Sequence, residues 1–324
     1  MLLTLLSARA CRLCGSYEEG RFQLSDPLHL YLGASWKKEN MSVYVSGHPK
    51  AGDTRGPVVT EPCHKTVTIV DVLTHSSGLS YGFDAEGIAN PVDAIYNAEL
   101  KEGSLPLLEW AERLSKLPLF FQPQSAWHYG YNTDICGALV EAIAGMPFAD
   151  YMHTKLFAPL GMVDTGFWVP PEKRHRFADV YAESPRKPIG EALLNVSTSD
   201  GQLDYIGEAP PVFSSGGGGL VATMHDYARF CQCIANGGEL DGYRLLGVKT
   251  VEWMATNHLP DGQTMAEMPA PTMGYSEVAA PGTGFGLGFS VVQNHTVSRN
   301  RGLAHLSSIR TYLRGLAFCV LQVL

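Results

Sequence analysis

The stretch Val67–Leu79, VTIVDVLTHSSGL, holds a complete helix signal within thirteen residues. Thr68 and Asp71 stand at capping-box spacing, in which the third helical side chain reaches back to the amide of the N-cap residue. Ile69, Val72 and Leu73 share one face of the turn that follows, and Gly78 supplies the stop.

Working outward, the same grammar recurs. Ser104 can cap a helix whose apolar positions are Leu107, Leu108, Trp110, Ala111 and Leu114. Another starts near Thr133 or Asp134, carries Ile135, Leu139, Val140 and Ile143, and stops at Gly145. A further one runs from Thr223 through Tyr227, Phe230 and Ile234 to Gly237-Gly238, and a last covers Lys249–Thr256. Strand signals are fewer. Ser42–Ser46 alternates, Phe285–Val292 is a longer candidate, and Leu316–Leu324 is a continuous apolar run. Pro260–Gly284, rich in Pro, Gly and Met, reads as a long surface loop. The order predicts an α+β domain, a helix-rich lobe with a thin sheet, and no internal repeat.

Composition narrows the function classes. With 324 residues, 45% hydrophobic and 17% charged, the chain can bury a substantial core. Lys+Arg 24 against Asp+Glu 32 gives a net charge of −8, and no basic cluster exists to track a nucleic-acid backbone. No stretch is long and apolar enough for a membrane span. Met1–Ala10 is apolar but lacks a positive n-region; Arg9 and Arg12, with no acid before Glu18, give it a transit-peptide cast, and the plainer reading is the end of a helix whose beginning is missing. Seven cysteines form no even framework, which fits a reducing compartment, cytoplasmic or mitochondrial. The close pairs Cys11/Cys14 and Cys231/Cys233 have no His or Cys partners at zinc-site spacing, so no metal site is expected.

Several common catalytic signatures are absent: no H-E-x-x-H, P-loop or dinucleotide fingerprint occurs. Ser214–Gly219 (SSGGGG) precedes a helix; its glycines allow close packing, and its amides offer an alternative role toward a pocket or an anion.

Several segments in a fixed order carry a resemblance. Val67–Leu79 is similar to the "LLTHTSGL" segment of the β-lactamase-related serine hydrolases. Trp127-His128-Tyr129, Gly137 to Gly145, Pro159-Leu160-Gly161-Met162 with Thr165, Ser214–Asp226, Gly237-Gly238-Glu239-Leu240 and Gly284–Phe289 resemble that family's later segments in sequence. The family includes class C β-lactamases, penicillin-binding DD-peptidases and family VIII esterases. The resemblance implies a β-lactamase/transpeptidase-like fold, a helical lobe against an antiparallel sheet, here incomplete, with the domain at 17–292. Residues 1–16 are unmatched, 293–314 diverge, and 315–324 resemble the last strand.

The family's chemistry uses a Ser-x-x-Lys, a tyrosine motif and a turn on a sheet strand, because serine attacks a carbonyl only once a base takes its proton. Tyr129-Gly130-Tyr131-Asn132 resembles the second element with Gly130 in place of the usual serine. It implies Tyr129 as the catalytic tyrosine and Asn132 as a substrate ligand; core packing beside Trp127 is the alternative for Tyr129. Gly302-Leu303-Ala304 resembles part of the third element, which implies Gly302 as a second substrate-binding position. The first element belongs upstream of Tyr17–Pro27 (YEEGRFQLSDP), and residues 1–16 hold no Ser-x-x-Lys. The two copies elsewhere, Ser35/Lys38 and Ser184/Lys187, precede no apolar helix that would bury the lysine and lower its pKa. The chemistry the resemblance implies needs no metal or organic cofactor, and the expectation is therefore a hydrolase of small-molecule esters or amides by descent, inactive as written. The alternative is a non-catalytic binding or regulatory protein on the same scaffold.

Overall fold

The computed structural model describes residues 13–100, 105–179, 181–183, 193–195, 205–270 and 281–294. Its helices are α1 (His29–Leu32), α2 (Ile69–Leu73), α3 (Pro91–Glu99), α4 (Leu107–Ser115), α5 (Asn132–Ala144), α6 (Phe148–Met152), α7 (Met224–Ala235) and α8 (Val248–Met254). Four antiparallel two-stranded ladders accompany them: β1–β2 (Ser42–Ser46 with Val59–Pro62), β3–β4 (Tyr181–Glu183 with Leu193–Asn195), β5–β6 (Glu239–Leu240 with Tyr243–Arg244) and β7–β8 (Thr283–Phe285 with Ser290–Val292). The class is α+β.

Helix α5 is the centre of the lobe, packing on α1, α2, α4 and α6. Ile135, Ala138, Leu139 and Val140 are fully buried, so it is apolar nearly all round, as an interior helix must be. Gly145 ends it at φ 67°, a left-handed position that favours glycine. No single described helix is long and apolar enough to cross a membrane; α5 and the helical segment 148–157 reach that length only across an 85° bend.

Most punctuation is where the pattern placed it. Thr68 and Asp71 form the expected cap, with the Thr68 amide and hydroxyl donating to the Asp71 carboxylate at 2.8 and 2.7 Å. Thr223 caps α7 by accepting from the Asp226 amide at 3.2 Å. Four expectations shift. Helix α2 stops at Leu73 rather than near Gly78, because the Thr74 hydroxyl donates to the Val70 carbonyl and His75 turns to φ 59°. Leu108 on α4 is exposed, whereas Leu107, Trp110, Ala111 and Leu114 are buried. Phe285–Val292 is not one strand but the hairpin β7–β8: Gly288 adopts φ 94°, and Leu287 turns fully inward while its amide donates to the Met254 carbonyl. Pro260–Gly284 is not all surface, since Met265 and Met268 are buried. Helix α3 has no counterpart in the sequence reading, although Asn90 caps it through the Val92 amide and Pro91 occupies its first turn. Ser104, Ser184, Lys187, Gly302 and Leu316–Leu324 lie outside the described residues.

The buried apolar residues form two groups. A large core runs from Leu13 to Phe289 and includes Trp36 and Trp110. A small second cluster joins Trp127, Leu259, Met265, Met268 and Phe285, with Tyr129 packed against it.

Candidate active site

The backbone around Tyr129 is fixed from one side by the loop that follows α2. The His128 amide donates to the His75 carbonyl, the Tyr131 amide to the Ser80 carbonyl, and the Gln124 amide to the Ser76 carbonyl, at 3.0, 3.0 and 2.7 Å. Between these contacts the chains touch so closely that a Cβ on Gly130 would lie 2.1 Å from the Leu79 carbonyl oxygen. Gly130 is thus a packing requirement here. A residue with a side chain would push the Tyr129 turn off residues 79–80.

His75 is the pivot. Its Nδ1 accepts from the Gly130 amide at 3.4 Å and from the Asn132 side-chain amide at 3.1 Å. Two donors on one ring nitrogen require that nitrogen to be unprotonated. Burial, with His128 nearby, pushes the His75 pKa down to about 3, so the ring is neutral at pH 7. The same ring stacks on Tyr129 with centroids 4.9 Å apart and planes 20° apart. Asn132, fully buried, also accepts from the Ser77 hydroxyl. Its polar atoms are therefore engaged within the lobe.

Next to His75, His128 approaches the Ser80 hydroxyl at 3.0 Å, and that hydroxyl donates to Asp93 at 2.5 Å. Burial lowers the His128 pKa and Asp93 opposes the shift. Asp93 also accepts from the Asn90 side chain and from the amides of Gly82 and Asp84, each at 3.0 Å. One carboxylate on α3 thereby fixes residues 80–84.

Those residues carry Tyr81 and Phe83. Tyr81 stacks on Tyr131 at 4.5 Å, on Phe83 at 4.6 Å and on Tyr129 at 5.5 Å. The hydroxyl end of Tyr81 reaches the glycine segment, where a Cβ on Gly217 would stand 2.9 Å from it. Gly216 has no room for a side chain, since a Cβ would meet the Thr133 carbonyl at 2.3 Å. Asp134 on α5 binds that segment through the Ser215 hydroxyl at 2.6 Å and the Gly217 amide at 2.8 Å, while the Gly218 amide donates to Ser215 at 2.9 Å. Two of the loop's amides thus point at internal acceptors, which favours the close-packing role of the glycines over the anion-binding one.

Tyr129 therefore stands where the post-α2 loop, the start of α5 and the second cluster meet. Asn132 is beside it, and Gly302 lies outside the described residues. The aromatic surround of Tyr81, Phe83 and His75 is absent from the sequence reading, although Ser80-Tyr81-Gly82-Phe83 directly continues the segment that opened it. Ser35 and Lys38 do not form an activated pair: the Ser35 hydroxyl is buried with no hydrogen-bond partner, and Lys38 is exposed. Among the described residues no three His, Cys, Asp or Glu side chains converge as metal ligands. The described cysteines, Cys14, Cys63, Cys136, Cys231 and Cys233, are free thiols; burial raises Cys14 to about 12.

A helical lobe with small antiparallel ladders and a tyrosine turn just before its central helix is an α+β arrangement, and comparison with known families defines its class. The Beta-lactamase family model matches residues 16–315. The chain belongs to this β-lactamase-related serine hydrolase family. It is 32% identical over 286 residues to an uncharacterized protein of Mycobacterium tuberculosis, covering 87% of this chain and 63% of that one. It is 32% identical over 200 residues to esterase EstB of Burkholderia gladioli, covering 57% and 48%. The chain thus spans less than two thirds of the length of these relatives. The solved structure of EstCE1, "a hydrolase with promiscuous acyltransferase activity", superimposes with a TM-score of 0.65 at 20% identity, covering 93% of this chain and 71% of that one, and supports the fold.

Proposed function

We propose that this fold serves acyl-enzyme hydrolysis of an ester or amide, with Tyr129 as the group that takes and returns the proton of a serine nucleophile. The observation that carries the proposal is the setting of Tyr129. Its ring is held between a neutral buried histidine and a stacked tyrosine, on a turn fixed to the loop after α2. In the reaction, Tyr129 starts as the phenolate, and the serine oxygen attacks the carbonyl carbon while its proton passes to the Tyr129 oxygen. The tetrahedral oxyanion collapses, the leaving group takes the proton from Tyr129, and an acyl-serine remains. Water then attacks the acyl carbon, losing a proton to Tyr129, and the serine leaves reprotonated. Asn132 and Gly302 are the proposed substrate contacts, and Asn132 reaches substrate only by releasing Ser77 or His75.

The proposal includes inactivity of the chain as written, supported by a Ser35 hydroxyl with no hydrogen-bond partner and an exposed Lys38. That observation favours, as a second reading, a non-catalytic binder that retains the cleft. A fluorophosphonate probe on the purified folded chain, with the adduct site read by peptide mass spectrometry, tests the proposal's inactive part. No adduct is expected, and an adduct on Ser35 or any other serine overturns it. The catalytic part is tested in a chain preceded by a Ser-x-x-Lys helix. There Tyr129→Phe should lower turnover by about 100-fold or more with folding intact, and unchanged turnover removes Tyr129 from the mechanism.

A further inference from the structure

Phe83 is 66% exposed, an unusual state for a large apolar ring on a segment held so firmly. The amides on both sides of it, Gly82 and Asp84, donate to the buried carboxylate of Asp93, and the Gly82 carbonyl accepts from Asn97 at 2.6 Å. The backbone therefore cannot swing the ring into the core. The display is fixed in advance, which lowers the ordering cost of binding.

The rings around it define the shape of what fits. The centroids of Tyr81, Phe83 and Tyr129 form a triangle with sides of 4.6, 5.5 and 6.2 Å, and the interplanar angles are 18°, 23° and 6°. Two rings on opposite faces of a third would stand about two stacking distances apart, roughly 7 Å or more. At 6.2 Å, Phe83 and Tyr129 must lie side by side over the same face of Tyr81. The result is a flat aromatic step whose inner ring is the candidate catalytic tyrosine and whose outer ring is open. A planar ring laid on Phe83 gains stacking contact that a puckered ring of similar size cannot match, and Tyr129 lies 6.2 Å from Phe83, within reach of a carbonyl attached to that ring.

We propose that Phe83, backed by Tyr81, is the subsite for a planar aryl group on the acyl side of the ligand, so that the site takes arylacyl compounds in preference to saturated ones. This rests on the placement of the reactive centre at Tyr129 but is measured without turnover. Phenylacetate and cyclohexylacetate, alike in charge and size, are the probes, titrated into the purified chain by ligand-observed NMR. Phenylacetate is expected to bind about three- to ten-fold more tightly, as stacking contributes beyond burial. Phe83→Ala should abolish the preference and Phe83→Trp should keep it. Equal affinities, no binding of either probe, or a preference that survives Phe83→Ala overturns the subsite. Sedimentation of both proteins is run alongside: a self-association lost in Phe83→Ala shows that a second copy covers the ring, and also overturns it. A preference in a chain that takes no fluorophosphonate leaves the subsite standing and bears only on the catalytic reading.

Discussion

The helical lobe and the Trp127–Phe285 cluster use the same kinds of side chain but are closed differently. In the lobe, α5 packs against four helices, and its residues 132–140 are buried. The second cluster is built from two short 3₁₀ turns, Pro260–Gly262 and Met265–Glu267, and one hairpin. It is tied to the lobe through Trp127, whose amide donates to the Met268 carbonyl at 2.8 Å. The lesson is that burial alone does not measure how tightly a region is held; how many independent elements surround each side chain does.

The sharpest way to break this comparison is to make equivalent cavities. Leu139→Ala, at a fully buried position on α5, should destabilise the chain by about 3–4 kcal/mol, because the surrounding helices cannot collapse into the space. Urea unfolding reads this, and a loss under about 1 kcal/mol would show that the lobe is loosely packed. Met265→Ala, equally buried, should cost about 2 kcal/mol, since a wall of turns and a two-stranded hairpin relaxes more easily. Its effect on amide exchange should be confined to residues 257–268 and 283–292, and exchange spreading to α5 would merge the two regions into one unit.

The junction itself responds to pH. In the unfolded chain His75 titrates near 6.5, whereas burial holds it at about 3 in the folded protein. Between those values the unfolded state binds more protons, so stability is complete above about pH 6.5 and is lost as pH falls toward 3. A drop of about 2 kcal/mol from pH 7 to pH 5 is expected, on the basis of about 1.4 kcal/mol per pH unit. His75→Asn, which tolerates the left-handed backbone, should flatten that slope; an unchanged slope assigns the effect elsewhere. The smallest effect belongs to Phe83→Ala. It should alter stability by less than about 0.5 kcal/mol, because the ring is mostly exposed, and a larger loss would make Phe83 a packing residue.

The lobe was legible to the degree that its signals are local. The Thr68–Asp71 cap, the Thr223 cap, the Gly145 stop and the apolar face of α5 each depend on residues within a few positions of one another. The hairpin at 283–292 was misread because alternation cannot reveal that Gly286 and Leu287 meet the Met254 carbonyl at the end of α8. Met265 and Met268 were assigned to solvent for a similar reason, as a Met- and Gly-rich run carries no period that reveals a distant tryptophan.

At the site, the sequence alone determined that Tyr129 and Gly130 stand just before a helix starting near Thr133 or Asp134, and that residues 1–16 hold no Ser-x-x-Lys. These are matters of identity and spacing along one chain. Only the tertiary structure decided that Gly130 must lack a side chain, that His75 is neutral and stacked on Tyr129, and that Asp93 presents Phe83 beside it. Each of those depends on desolvation and contact between segments 10 to 55 positions apart, such as Asp93 with Gly82 and Asn132 with Ser77. Such forces act through space, and no local pattern records them.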